Sequence, residues 1–286
     1  MRNLEVERDT TMVQVIQEYI DYIIKQRPFA KDILNSYKSL VELMDDLEIS
    51  APQVHMEKKV QQLKAKEGFP LFPREDLPLD FGAASRLLSR IAGYLSHEQE
   101  QERKAMENCV AQIQKDIEWA PSLFKAILKK DEEKISGLAA QVGLEPARLF
   151  FLGKLSIRPS LEKLRDACAA IIDKKAWEQG YCPVCGSEPN MAYLDKKGKR
   201  HLHCELCGEE WPYPRVNCPF CRNEDQQALG YFHRDKEHGL RVDFCKKCQR
   251  YIKTVDRREF ELETPMELEY LATLHLDILA EKEGFR

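Results

Sequence analysis

Cys182-Pro-Val-Cys185, Cys204-Glu-Leu-Cys207, Cys218-Pro-Phe-Cys221 and Cys245-Lys-Lys-Cys248 hold eight of the ten cysteines of this chain. The pairs are separated by 18, 10 and 23 intervening residues. A Cys-x-x-Cys turn, or knuckle, offers two thiolates to one metal ion, and two knuckles complete a tetrahedral four-sulfur shell. Cys182, Cys185, Cys204, Cys207, Cys218, Cys221, Cys245 and Cys248 are therefore the candidate ligands of two mononuclear sites. Pairing in sequence order is simplest, the first four cysteines on one ion and the last four on the other; an interleaved pairing is the alternative. Each sequential group frames a hairpin, with turns near Lys196–Lys199 and Asp235–His238.

The residue after each knuckle matters, because the turn wants a positive φ that glycine supplies without strain. Gly186 and Gly208 stand there in the first group, Arg222 and Gln249 in the second. The second site is thus expected to be the more labile. His201 and His203 flank Cys204, but four thiolates already fill a shell, so both read as strand residues. A tetrahedral thiolate site accepts zinc or iron, and spacing does not separate them. Structural zinc is the default for a generic ribbon. Four cysteines per ion leave no open coordination position, so metal catalysis is not expected, while electron transfer through iron remains chemically open.

Around the knuckles, from Gly180 to Phe260, short segments alternate like strands: Met191–Leu194, Arg200–His203, Ala228–His233 and Gly239–Phe244. Only fifteen of these 81 residues are Ile, Leu, Val, Met or Phe. That core is too thin to hold so much loop-rich chain, and a structural metal site contributes about 10–16 kcal/mol to folding. The aromatic residues Tyr181, Tyr193, Trp211, Tyr213, Tyr231, Phe232, Phe244 and Tyr251 read as the small core around the sites. The segment carries 15 Lys and Arg against 12 Asp and Glu, a net of +3 that eight thiolates and two divalent ions bring to about −1. A nucleic-acid reader shows a pronounced positive face, so nucleic acid is not an expected partner; a zinc-ribbon nucleic-acid-binding protein is the alternative class.

Residues 1–178 read as helical. Val13, Ile16, Ile20 and Ile23 mark one stripe, and Ile33, Tyr37, Leu40, Met44 and Leu47 the next. Further stripes carry Leu87/Ile91/Tyr94, Met106/Val110/Ile113/Ile117 and Ile135/Leu138/Val142. Pro146 suits the first turn of a helix. Arg158-Pro159-Ser160 reads as a break, with Ser160 capping a new helix from Leu161 to about Trp177. Cys109 and Cys168 lie on apolar faces and read as buried hydrophobes. After Pro265 one more helix, with the stripe Leu268, Leu271, Leu274 and Ile278, ends near Gly284. The expected fold class is α+β: an all-helical N-terminal domain (1–178), a tandem rubredoxin-like/zinc-ribbon-like metal-binding domain (179–262) and a C-terminal helix packing on the body (263–286).

The chain has 286 residues, a net charge of −4 and a pI of about 6.1, which does not suit a protein built chiefly to hold nucleic acid or an anionic membrane. No apolar run approaches the roughly 18–20 residues of a membrane span, so no membrane insertion is expected. Met1–Thr10 lacks the layout of a secretory leader. A cytoplasmic location is expected, where dense cysteines mean metal rather than disulfides. No glycine-rich phosphate cradle and no nucleophilic triad is present, so the protein is not expected to be an enzyme.

Tyr181–Ser187, His201–Cys207, Trp211, Arg215-Val216 and Cys218–Cys221 resemble the formate dehydrogenase accessory (FdhE) family. So do Cys245–Cys248, Tyr251-Ile-Lys253, Leu271–Asp277 and Glu283-Gly-Phe285. The resemblance covers about residues 181–286. It implies a cytoplasmic maturation factor, required for active formate dehydrogenase, that binds the catalytic subunit of the molybdenum- or tungsten-dependent enzyme. It also favours iron over zinc, with the eight knuckle cysteines as metal residues. Two positions depart from the family pattern: Pro212 follows Trp211 where the family often has His, and Glu269-Tyr270 replaces an acidic pair before Leu271-Ala272.

Overall fold

The computed structural model of the chain describes residues 12–44, 46–98, 102–174, 176–234 and 237–286. Met1–Thr10 and the Asp235-Lys236 part of the second expected turn lie outside the described residues. Helices come first: α1 (Met12–Gln26), α2 (Lys31–Glu42), α3 (Lys58–Glu67), α4 (Phe81–Glu98), α5 (Arg103–Lys115), α6 (Trp119–Lys129), α7 (Glu132–Val142) and α8 (Pro146–Cys168). Contacts group the chain into two compact units: the residues up to Ser39 with Met56–Leu71 and Ile171–Arg286, and Leu40–His55 with Phe72–Ala170. This grouping differs from a cut at residue 178, since α1 and α3 fall with the cysteine-rich segment.

The purely helical unit is built on α4 to α8. Leu87, Leu88, Ile91, Met106, Leu123, Phe124 and Ile127 are fully buried in it, and Cys109 and Cys168 are buried as well. Burial pushes the Cys109 thiol up to about 12, which fits an inert core residue. Ile117 lies past the end of α5 and is 84% exposed, so the stripe stops short of it. The expected break at Arg158-Pro159-Ser160 does not form; α8 runs through Pro159 to Cys168, with Pro146 in its first turn. An internal proline costs about 3 kcal/mol. Leu155, Ile157, Leu161 and Leu164 are buried on either side of it, at about 1.5–3 kcal/mol each. Burial wins, and the helix continues.

The other unit is organised by one six-stranded sheet. Its strands are β1 (Pro189–Leu194), β2 (Arg200–Cys204), β3 (Glu210–Pro212), β4 (Leu229–Phe232), β5 (Leu240–Cys245) and β6 (Arg250–Asp256). The order is β3-β2-β1-β6-β5-β4. Each half is an antiparallel meander, and the halves join through a parallel pairing of β1 with β6. The four expected strands are present. The edge strand β3 and the central strand β6 are additions.

Register sorts the side chains onto two faces. Met191, Tyr193, Val242 and Val255 share one face and form a core with Met266, Leu276 and Ala280. Those last residues belong to α9 (Met266–Ala272) and α10 (Leu274–Lys282). The expected single C-terminal helix is therefore two, broken at Thr273, whose hydroxyl donates to the Glu269 carbonyl at 2.7 Å. The break rotates the apolar stripe: Leu276 and Ala280 are buried while Ile278 is 56% exposed. On its other side, α9 packs Leu268 and Ala272 against Ile20 and Ile23 of α1 and Leu34 of α2. Residues 68–71 clasp the first knuckle, where the Tyr181 hydroxyl donates to the Gly68 carbonyl at 2.6 Å and the Leu71 N–H donates to the Pro183 carbonyl at 2.8 Å. These contacts place both N-terminal stretches with the sheet.

Candidate metal centres

Each meander carries its knuckles in the same places, one before its first strand and one between its second and third. In all four, the N–H of the residue after the second cysteine donates to the carbonyl of the first. The pairs are Gly186 to Cys182 (2.9 Å), Gly208 to Cys204 (3.3 Å), Arg222 to Cys218 (2.9 Å) and Gln249 to Cys245 (2.8 Å). That bond requires a left-handed residue, and φ is 69° at Gly186, 70° at Gly208, 59° at Arg222 and 57° at Gln249. The turn geometry inferred from the glycines thus holds at all four knuckles, and the second pair adopts it without glycine.

The cysteines converge in sequence order. Cys182, Cys185, Cys204 and Cys207 form one cluster and Cys218, Cys221, Cys245 and Cys248 the other, with the Sγ atoms of each cluster within 4.8 Å of one another. The closest Sγ···Sγ distances are 3.5 Å for Cys185–Cys204 and 3.6 Å for Cys182–Cys207. In the second cluster Cys218–Cys248 and Cys221–Cys245 are both 3.7 Å. Four sulfurs about 2.3 Å from a central tetrahedral ion sit about 3.8 Å apart. The donor set therefore fits a thiolate-bound metal, and all ten cysteines are free of disulfides. Burial, helped by the neighbouring sulfurs, holds the Cys182 thiol well above its ordinary range; burial does the same at Cys218. Thiols packed this way shed their protons when a cation compensates the charge. Backbone N–H groups add to the shell, with Leu206 N and Cys207 N at 3.4 Å and 3.5 Å from the Cys204 sulfur.

Neither flanking histidine joins the cluster. His201 stacks on Tyr193 with ring centroids 4.9 Å apart. His203 is buried between Asn190 Oδ1 (2.9 Å) and Glu267 Oε1 (3.2 Å). Aromatic residues tie the sites to the fold: Trp211 is fully buried, and the Tyr213 hydroxyl donates to the Cys218 carbonyl at 3.2 Å. Tyr231 is the exception among them, 60% exposed. Sequence reasoning missed Glu188 and Arg250, whose bidentate pair (2.7 and 2.9 Å) joins the residue just before β1 to the first residue of β6. An isolated Glu and Arg carry no signal for that.

The clusters differ in protection. The first is at most 2% exposed at every cysteine, whereas Cys221 and Cys248 of the second are partly exposed. A non-glycine left-handed residue also costs about 1–2 kcal/mol. Graded chelation is expected to empty the second cluster first. Arg222→Gly with Gln249→Gly should delay that release, as followed by chelator absorbance; earlier release would contradict the strain argument. Gly180 makes a second lever. A Cβ there would lie 1.8 Å from the Pro219 carbonyl oxygen, inside the third knuckle. Gly180→Ala is expected to destabilise the unit by about 3 kcal/mol, and a thermal melt matching the parent would contradict that.

Likenesses to one protein family and to three known proteins bear on this site. The family described as FdhE, central domain, matches residues 181–215, which span the first cluster. Over 117 residues the chain is 32% identical to a protein FdhE homolog of Aquifex aeolicus, covering 40% of this chain and 41% of that one. Over 118 residues it is 33% identical to a protein FdhE homolog of Shewanella oneidensis, covering 40% and 38%. These alignments span less than half the length of either curated relative. The crystal structure of the FdhE protein from Pseudomonas aeruginosa shares the fold, with a TM-score of 0.68 at 21% identity over 96% of this chain and 93% of that one.

Proposed function

We propose, on its likeness to the FdhE central domain and to two FdhE homologs, that the chain is a member of the FdhE family and an accessory factor for maturation of formate dehydrogenase, not an enzyme. It acts in the cytoplasm and binds the catalytic subunit of formate dehydrogenase. Among the described residues no helix is long and apolar enough to cross a membrane. The metal residues are Cys182, Cys185, Cys204 and Cys207 on one ion, and Cys218, Cys221, Cys245 and Cys248 on the other. Iron is the favoured occupant on the family resemblance, with zinc as the alternative.

The observation that carries the reading is the convergence of all eight knuckle cysteines into two four-sulfur clusters. Such a shell is coordinatively closed. Its ion would brace the lobe that meets the client, and an iron ion would add the ability to exchange one electron. A second reading, as a rubredoxin-like electron carrier, draws on the partial exposure of Cys221 and Cys248. It expects a visible absorbance change on reduction. The maturation reading is tested by co-purification with the catalytic subunit and by formate oxidation in a deletion strain. Association together with lost activity supports it; no association and intact activity end it.

A further inference from the structure

We propose that the cavity beside the second cluster receives an extended acidic peptide segment of a partner protein. The helices α9 and α10 cover one face of the sheet, and the register places Arg200, Arg241 and Arg250 on the opposite face. A cavity of about 260 Å³ lies there, lined by these three arginines, by Arg215 from the β3–β4 connection, by Asp243, by Cys218 and Cys245 of the second cluster, and by apolar groups including Phe220 and Ile252. The guanidinium groups are held in place by rings: Arg250 over Phe220 at 3.7 Å and Arg241 over Tyr231 at 4.9 Å.

Two of the four positive charges are already answered. Arg250 pairs with Glu188 at 2.7 Å, and Arg241 pairs with Asp243 at 2.9 Å. Arg200 is different. It is 4% exposed, its Nη2 donates only to the Pro214 and Asn217 carbonyls, and its Nε has no hydrogen-bond partner among the described residues. The Asp243 carboxylate acts on it through space, with no hydrogen bond between them among the described residues, and an incoming anion that accepts from the unpartnered Nε relieves the remaining cost of burial. Arg215 is exposed and forms no ion pair among the described residues.

The walls favour a peptide over a bare ion or a nucleic acid. Among the described residues β4 ends the sheet and has β5 as its one neighbour, so its outer edge offers main-chain groups to an added strand. Leu229 and Tyr231 of β4 line the cavity. Along an added strand alternate side chains face one side, so acidic residues at every second position would lie on the face that carries Tyr231 and Arg241. This inference is independent of formate dehydrogenase as the client.

The test uses the full-length, metal-loaded, reduced protein and a fluorescent hexapeptide alternating glutamate with valine, read by anisotropy. Binding at least tenfold tighter than its glutamine counterpart is expected, weakening with salt. Arg215→Gln and Arg241→Gln should each weaken it at least fivefold. Metal content reports whether the variants are intact, and if Arg241→Gln loses an ion, the exposed Arg215→Gln alone decides. Equal binding of the glutamine peptide, no binding, or indifference to Arg215→Gln would overturn the proposal. So would an oligonucleotide that binds in an Arg215-dependent way where the peptide does not.

Discussion

Replacing Cys185 with serine is expected to release the first ion and unfold the sheet around it. The serine hydroxyl stays protonated where a thiolate is needed, and three sulfurs are left in a cluster that excludes water. Metal binding of this kind supplies about 10–16 kcal/mol of folding energy, against a net domain stability of about 5–15 kcal/mol. The loss should spread, because β1 follows the first knuckle and pairs with β6 of the second meander. Metal content is expected to fall from two ions per chain to one or none, with loss of sheet circular dichroism and rapid proteolysis beyond residue 180. Cys109→Ala is the matched control, a buried cysteine outside both clusters; it should cost a few kcal/mol at most and leave both ions bound. Two ions and an unchanged melt in Cys185→Ser would refute the account of the first cluster.

The next largest effect is expected at a buried ion pair that joins the N-terminal helices to α9. Arg27 and Glu269 are 5% and 2% exposed in their side chains and meet in a two-point contact of 2.7 and 2.9 Å. The Thr264 hydroxyl donates to the same carboxylate. Glu269→Ala leaves the guanidinium buried without its counter-charge, at a cost of about 3–5 kcal/mol. Arg27→Met combined with Glu269→Leu removes both charges and should recover most of that, since a well-packed apolar pair is often neutral or better. Thermal melts of the single and double variants separate the two cases. A Glu269→Ala variant as stable as the parent would show that the pair is not buried in solution. Glu269 thus has a packing role in this chain.

Much of this architecture is legible in the sequence because cysteine spacing and glycine position are local signals. The four knuckles, their sequential convergence, the Lys196–Lys199 turn and the strands β1, β2, β4 and β5 all follow from short windows of chain. Asp195 closes that turn, accepting from Lys197 N and Lys199 N at 2.9 Å each. What stays hidden depends on distant partners. β6 lacks a clean apolar alternation because Lys253 sits in its middle, 1% exposed. Its Nζ reaches Asp277 Oδ2 at 2.7 Å and the Tyr270 carbonyl at 3.1 Å, residues of the closing helices. Pro159 reads as a break because a window cannot see the burial that carries α8 past it. The Ile20/Ile23 stripe announces a helix but not its partner, so nothing local places α1 against α9. Arg200 reads as the first residue of a strand, and only the register turns it into the cavity.

The central claim is that eight thiolates grip two closed tetrahedral ions. X-ray absorption at the metal edge, with metal quantitation on protein purified under reducing conditions, addresses it directly. The account predicts two ions per chain, each with four sulfur neighbours at about 2.3 Å. Fewer than two ions, nitrogen or oxygen in the first coordination shell, or sulfurs recovered as disulfides would contradict it.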